Sequence, residues 1–292
     1  MGNFLSSCFQ HRDQNITEDD SGDIIKFTLE ELNAYTDTFS ERKFIGLGGF
    51  GRVYRGIIKG RQERHINGQH IAVKFSRNEV EEERTEWMAE MEYLPKVRHQ
   101  NIIKLIGYCE TQERFYLVYP FMQNGTVLDK LSGLDWSKTL RIIKGVANAI
   151  QKLHGFTPAL VHRDLKLRNI LLDKNFIPKV ADLGKVTPEE ENINSSGSKT
   201  DDIYSFGEII LQLITKENIT YIEANSSVPR RIGDSAIRDY PTQKLLHVKL
   251  ERTGCSEEAA KAITELGLEC VKPQPQDRPT IAQVLDKLAY LS

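Results

Sequence analysis

No stretch of this chain is apolar enough to cross a bilayer. The longest apolar run lies around Ile209 to Ile214, far short of the roughly 20 residues a membrane-spanning helix needs. Cysteine is scarce: Cys8, Cys109, Cys255 and Cys270 are the four present, and they show neither a paired metal spacing nor the density of a disulfide scaffold. A reducing, cytosolic setting is expected. A basic excess is missing too, since 39 Lys and Arg stand against 41 Asp and Glu for a net charge of -2. That excludes the electrostatic footprint of nucleic-acid binding. What is present is core-forming material, 39% hydrophobic with 27% charged in 292 residues, enough for a folded chain of two lobes or two domains.

The segment 1–26 reads as an acylated, unstructured lead. Met1-Gly2-Asn3-Phe4-Leu5-Ser6 matches the myristoylation pattern at Gly2, and Cys8 is placed for S-palmitoylation. One myristoyl chain holds a membrane only marginally, and Glu18, Asp19, Asp20 and Asp23 make the next stretch acidic where a polybasic patch would help. Palmitate on Cys8 is therefore the expected second anchor, which implies the cytoplasmic face of the plasma membrane. Folded structure is expected from about Phe27.

Ile45-Gly46-Leu47-Gly48-Gly49-Phe50-Gly51-Arg52-Val53-Tyr54 contains G-x-G-x-x-G, a pattern that dinucleotide folds share. Here the alternating run through Val53 continues as a strand and Ile71-Ala72-Val73-Lys74 follows, where a dinucleotide turn would open into a helix. The loop is thus expected to be a strand-turn-strand flap over nucleotide phosphates, glycine being needed so that backbone N–H groups can approach. Ile45, Gly46, Gly48, Gly51, Val53 and Ala72 are the candidates for lining the nucleotide. Lys74 is the candidate for the α- and β-phosphates and needs a carboxylate partner. The helical stretch Glu81 to Leu94, with Trp87, Met91 and Leu94 on one face, offers Glu90, with Glu86 and Glu92 as rivals. Phe115 to Tyr119 reads as a buried strand ending in a turn-prone link, so Tyr119, Phe121 and Met122 are the adenine-contacting candidates; Pro120 has no N–H to give.

Trp136, Leu140, Ile143, Val146, Ile150 and Leu153 mark an amphipathic helix that leads to Val161-His162-Arg163-Asp164-Leu165-Lys166-Leu167-Arg168-Asn169, and Val180-Ala181-Asp182-Leu183-Gly184 follows. These motifs in this order resemble a protein kinase over about 27–290. Phe27-Thr28-Leu29-Glu30-Glu31-Leu32 is similar to plant receptor-like cytoplasmic and wall-associated kinases. The resemblance implies an α+β, two-lobed fold, with an N-lobe of antiparallel sheet plus one helix (about 39–121), a helical C-lobe (about 122–290), and ATP with Mg2+ between them. It implies that Asp164 accepts the substrate hydroxyl proton, Lys166 neutralises charge on the transferred group, Asn169 and Asp182 hold magnesium, and Leu171 lines the nucleotide. Lys166 resembles the Ser/Thr rather than the Tyr class. Leu94, Leu105, His162 and Leu183 match the family's stacked regulatory spine. Expected partners are protein substrates, partner kinases or immune receptors, and the membrane.

The pattern breaks after Gly184. Thr187-Pro188-Glu189-Glu190 can stand for the family's A-P-E, which leaves almost no activation loop before Asp201-Asp202. A buried Arg278 without a partner would cost about 3–5 kcal/mol, so Glu189 or Glu190 is expected to pair with it. Ser195, Ser196 and Ser198 read as a surface loop before they read as phosphosites. Two functional readings result: an active Ser/Thr kinase that tolerates the short segment, or an ATP-binding pseudokinase adaptor.

Overall fold

A computed structural model describes residues 24–48, 51–59, 68–76, 81–189, 198–217 and 245–291. The chain divides into two compact units. One holds the chain through Lys96 together with Lys104–Pro120; the other holds Val97–Ile103 and everything from Phe121 on. Val97–Ile103 thus folds with the second unit although it falls inside the first lobe's range read from sequence: Ile103 N–H donates to Val180 O at 2.8 Å, and Val180 N–H to Asn101 O at 2.8 Å.

The first unit comprises β1 (Ile25–Lys26), α1 (Leu29–Thr36), β2 (Phe44–Leu47), β3 (Gly51–Ile58), β4 (Gln69–Ser76), α2 (Glu81–Tyr93), β5 (Gly107–Glu110) and β6 (Phe115–Pro120). The sheet order is β1-β5-β6-β4-β3-β2. All pairs are antiparallel except β1 with β5, which is parallel. Two features differ from the expected antiparallel sheet with one helix: the parallel edge strand, and α1. Helix α1 is nucleated by a capping box. The Thr28 hydroxyl accepts from Glu31 N–H at 3.1 Å, and the Glu31 carboxylate accepts from Thr28 N–H at 2.9 Å, which satisfies two end groups that would otherwise compete with the helix. Leu32 then buries its side chain beside Phe27, Tyr54, Phe75 and Tyr116 in an aromatic-rich core. Tyr54 and Phe75 stack at 5.5 Å, and Phe39 meets Phe75 edge-on at 5.1 Å, arrangements that suit the ring quadrupoles. Gly51 lies so near β4 that a Cβ there would be 1.7 Å from Phe75 O, so no other residue fits where the flap begins its second strand.

The second unit is mainly helical: α3 (Val127–Lys130), α4 (Trp136–His154), α5 (Lys199–Thr215), α6 (Val248–Arg252), α7 (Glu257–Cys270) and α8 (Ile281–Ala289), with two small ribbons. The ribbons pair β7 (Leu160–Val161) with β10 (Thr187–Pro188), and β8 (Ile170–Leu172) with β9 (Pro178–Val180). Helix α4 starts where Asp135 accepts from Lys138 N–H at 2.8 Å, a side-chain N-cap. Its apolar stripe packs on α5, α8 and β9. Helix α5 is buried nearly all round, with Ile209, Ile210, Leu211, Leu213 and Ile214 inaccessible, which explains why the longest apolar run in the chain sits there. Burial also fixes the thiols: desolvation pushes Cys109 up to about 11 and Cys270 up to about 12, so both are protonated, inert core residues.

Lys216 ends α5 in the left-handed region at φ 61°, a conformation that costs a non-glycine residue about 1–2 kcal/mol. Its Nζ donates to Thr139 at 3.1 Å. Burial, with Lys249 nearby, lowers its pKa from 10.5 to about 8 against the opposing pull of Asp135. Between those two values the unfolded chain keeps a proton that the native chain does not, so native stability rises with pH through that window. Lys216→Gly is therefore expected to raise the melting temperature near neutral pH. The advantage should narrow as pH climbs from about 8 toward 10.5, which thermal melts across that range would check.

Candidate active site

In the first unit, the β3–β4–β6 register sets Lys74 opposite Val53 on one side and Leu117 on the other. Lys74 is buried, and its Nζ donates to Glu90 Oε1 at 2.9 Å. Glu90 sits on the inner face of α2 with its side chain 1% exposed. Of the rivals, Glu92 pairs instead with Lys96 at 3.1 Å in the exposed i,i+4 arrangement, and Glu86 is buried one turn before Glu90. The second carboxylate oxygen of Glu90 accepts from the Tyr119 hydroxyl at 2.6 Å. Glu90 is thus fixed at both oxygens and holds a long, flexible ammonium at one place. Gly48 comes so close that a Cβ would stand 3.0 Å from Lys74 Cε. Gly48 therefore brings backbone close over the Lys74 side chain, a surface that suits phosphate oxygens. Among the described residues of the loop, Ile45 and Leu47 on β2 are exposed apolar side chains.

In the second unit, the stretch 162–169 hangs from buried Asp202 on α5. Asp202 Oδ2 accepts from His162 N–H at 2.8 Å and lies 3.0 Å from His154 Nε2, while Oδ1 accepts from Arg163 N–H at 3.0 Å. A carboxylate only accepts, so His154 carries its hydrogen on Nε2. Arg163 follows at φ 64°. His162 is locked in the same tautomer: Nδ1 accepts from Asp164 N–H at 3.3 Å, which leaves Nε2–H to donate to Ala181 O at 3.2 Å. Asp164, three-quarters buried, then receives Lys166 Nζ on both carboxylate oxygens at 2.8 Å and Asn169 Nδ2 at 3.0 Å.

A second tie joins this loop to the next acid. Ala181 N–H donates to Asn169 O at 2.9 Å, and the following residue, Asp182, adopts φ 64°, strained backbone of the kind that persists where surrounding contacts over-determine it. With the Asn169 amide nitrogen committed to Asp164, the atom left to Asn169 for a cation is its carbonyl oxygen. One amide oxygen and one carboxylate is the donor set magnesium uses when substrate phosphates and waters complete its shell, in contrast to an all-protein cage. Among the described residues, no cluster of three or more His, Cys, Asp or Glu exists that could hold a metal by itself. The Asn169 amide oxygen and the Asp182 carboxylate are the residues that could hold an ATP-bound magnesium.

Residues 39–199 match the family described as protein tyrosine and serine/threonine kinase, more than half of the chain. This chain belongs to the protein kinase family. Its kinase domain is 32% identical over 91% of the chain to an EPD1-interacting receptor-like cytoplasmic serine/threonine-protein kinase from Nicotiana benthamiana, of which it covers 64%. It is 31% identical over 92% to the probable serine/threonine-protein kinase PBL15 from Arabidopsis thaliana, covering 70% of that protein. A probable leucine-rich repeat receptor-like protein kinase from Arabidopsis thaliana is 32% identical over 90% of this chain, which spans 30% of that relative's length.

The kinase domain's remaining candidates fall as follows. Val53 and Ala72 are on β3 and β4, Leu171 is on β8, and Phe121 and Met122 follow β6, half-buried. The four spine residues Leu94, Leu105, His162 and Leu183 are each buried within their own unit. Gly2, Cys8, Glu190, Ser195 and Ser196 lie outside the described residues.

The expected Glu189–Arg278 pair is not formed. Arg278 gives its donors to Lys272 O at 2.9 Å, Thr200 O at 2.9 Å and Pro273 O at 3.2 Å. It also lies 3.5 Å from Asp201 and stacks over Tyr204 at 4.8 Å. Among the described residues, carbonyl oxygens and Asp201 stand where Glu189 was expected, so the guanidinium is satisfied without Glu189. Glu189 turns to the start of α5, where it accepts from Lys199 N–H at 3.2 Å and pairs with Lys199 Nζ at 2.8 Å. Partial burial works to raise its pKa, but the Lys199 contacts outweigh burial and hold the carboxyl below its ordinary value. The same short segment forms β10, with Thr187 opposite Val161 and Glu189 N–H donating to Ala159 O at 2.7 Å.

Two contacts escaped the sequence reading: Asp202 carries the 162–169 loop, and Tyr119, named there only for the adenine link, donates its hydroxyl to Glu90. Asp202 had a signal, an acid in the first turn of an otherwise apolar helix, and such a residue is worth pairing with any nearby loop of unsatisfied N–H groups.

Proposed function

We propose that this chain is a serine/threonine protein kinase of the receptor-like cytoplasmic type, transferring the terminal phosphoryl group of Mg-ATP to protein hydroxyls. The observation that carries this reading is the Asp164 carboxylate held by Lys166 and Asn169 on a loop anchored by Asp202. Lys74, positioned by Glu90, grips the α- and β-phosphates. Asp164 accepts the proton of the incoming hydroxyl, and Lys166, its neighbour, compensates negative charge on the group in flight. Asn169 and Asp182 hold magnesium, which neutralises the phosphate oxygens when bound. Phosphoryl transfer is mostly positioning and charge neutralisation, so these groups suffice for the chemistry. Lys166 two residues after the base supports a Ser/Thr acceptor. We further infer that Gly2 is myristoylated and Cys8 palmitoylated, placing the protein at the cytoplasmic face of the plasma membrane beside partner kinases or immune receptors.

The test is labelled-phosphate transfer from ATP to the protein itself and to a generic protein substrate. Transfer is expected with magnesium and should vanish on chelation with EDTA. Absence of transfer by folded protein that binds ATP would overturn the enzyme reading and leave an ATP-binding adaptor.

A further inference from the structure

Away from Asp164, and wholly within the second unit, an open groove of about 420 Å³ runs along α4. Its floor is apolar, formed by Trp136 and Leu140 on the helix and by Ile177 and Pro178 where β9 begins. The wall facing the helix is fixed. The Asn101 amide donates to Pro178 O at 3.0 Å, and Pro178 presses so near α4 that a Cβ on Gly145 would stand 2.3 Å from Pro178 Cγ. A groove held in this way exists before anything enters it, which spares a ligand the cost of ordering it.

The rim of the groove is cationic. Arg141 and Lys144 lie at i and i+3 on one face of α4 and both line it. Lys152 and Lys179 extend the positive charge toward His99, whose pKa is lowered first by burial and then by these two ammonium groups. Arg141 gives one N–H to Asn175 O at 3.1 Å, and Lys144 donates to Leu291 O at 2.5 Å. Among the described residues no carboxylate pairs with either cation. From Trp136 to His154 the helix carries no Asp or Glu, in a chain whose net charge is -2. Like charges at this spacing weaken a helix, so the arrangement gains nothing for the fold. It is balanced when an anionic group lies over it.

We propose that this groove docks an acidic segment of a partner protein, with one apolar side chain on the floor and flanking Asp or Glu carboxylates on Arg141 and Lys144. The Arg141 guanidinium keeps N–H groups to spare after its bond to Asn175 and can meet a carboxylate with two of them. The floor lies recessed between α4 and the Ile177–Pro178 wall, where a side chain can reach and the flat surface of an anionic bilayer cannot. None of the groups involved bonds to Lys74, Glu90 or Asp164, so docking here is independent of phosphoryl transfer.

The full chain would be panned against a library of random peptides, and the affinity of a selected peptide measured by fluorescence anisotropy. Selected sequences are expected to set acids around one large apolar residue. The double variant Arg141→Glu/Lys144→Glu should weaken binding about tenfold, since two exposed ion pairs become repulsions, and added salt should weaken binding to the wild type. Ser137 is exposed and lines the groove, so Ser137→Trp should block the floor while leaving the cationic rim in place. Both variants change side chains at the surface and are expected to melt like wild type. Selection of no acidic sequences, or binding unmoved by either variant, would overturn the proposal. Binding to phosphatidylserine vesicles that is lost in the double variant, with no peptide selected, would assign the face to a membrane and overturn it too.

Discussion

Asp164→Asn is expected to lower the rate of labelled-phosphate transfer by about 10²–10⁴-fold, the usual contribution of a positioned acid or base, while leaving ATP affinity unchanged. The substitution keeps the shape and one acceptor oxygen, so Asn169 Nδ2 and Lys166 Nζ, now 3.0 and 2.8 Å from the carboxylate, retain a partner. What disappears is the basic group that takes the hydroxyl proton and the negative charge that steadies Lys166. ATP is held in this reading by the glycine loop and by Lys74 with Glu90, none of which bonds to Asp164, so binding should be spared. Transfer and ATP binding measured on the same preparation separate the two. A variant that still transfers at the wild-type rate would remove Asp164 from the mechanism.

Much of the candidate site was legible because the chemistry proposed for it calls for residues of fixed type. Lys74 and the run Asp164 through Asn169 could be picked out on that ground before their contacts were known. Glu90 was legible for a different reason: helical periodicity puts it on the inner face of α2, where a carboxylate is tolerable only if paired. Helix α1 is absent from the sequence reading although the Thr28–Glu31 capping box stands in the sequence, because the segment is short and its inward face is only Leu32, Tyr35 and Thr36. The parallel edge strand Ile25–Lys26 could not be read, as two residues carry no periodicity. The Glu189 half of the Arg278 expectation failed on partner identity, while Glu190 lies outside the described residues. A buried guanidinium does need acceptors, but backbone carbonyls at Lys272, Pro273 and Thr200 serve as well as a glutamate, and carbonyl positions are invisible before the fold is known. Tyr119 shows the converse: it was assigned by its place in the chain to the adenine link, and its hydroxyl found a carboxylate that lies 29 residues earlier.

Removing Asp202 should be nearly as damaging as removing Asp164, by another route. Its carboxylate is 1% exposed and accepts from two backbone N–H groups and one imidazole. Asp202→Ala strands those donors where water cannot replace the acceptor. Each orphaned buried group costs about 1–3 kcal/mol, and a sum near 3–5 kcal/mol is the usual penalty for breaking a buried pair at one end. In a chain of this size that lowers the melting temperature by roughly 10 °C. The Asn variant retains one accepting oxygen, enough for the Oδ2 partners His162 N–H and His154 or for the Oδ1 partner Arg163 N–H but not for both sets, so it should lose less than the Ala variant. Activity should fall with both, because the loop that carries Asp164 is tied to α5 through these bonds, and a displacement near 1 Å at the reacting atoms can cost about 100-fold. The signature that distinguishes this positioning role from a catalytic one is that kcat and melting temperature fall together, with Asp202→Asn between wild type and Asp202→Ala on both scales. Asp164→Asn, by contrast, should lose kcat alone. If Asp202→Ala melted and transferred phosphate like wild type, the loop would have to be held by the β7–β10 ribbon and the Asn169–Ala181 tie without help from α5.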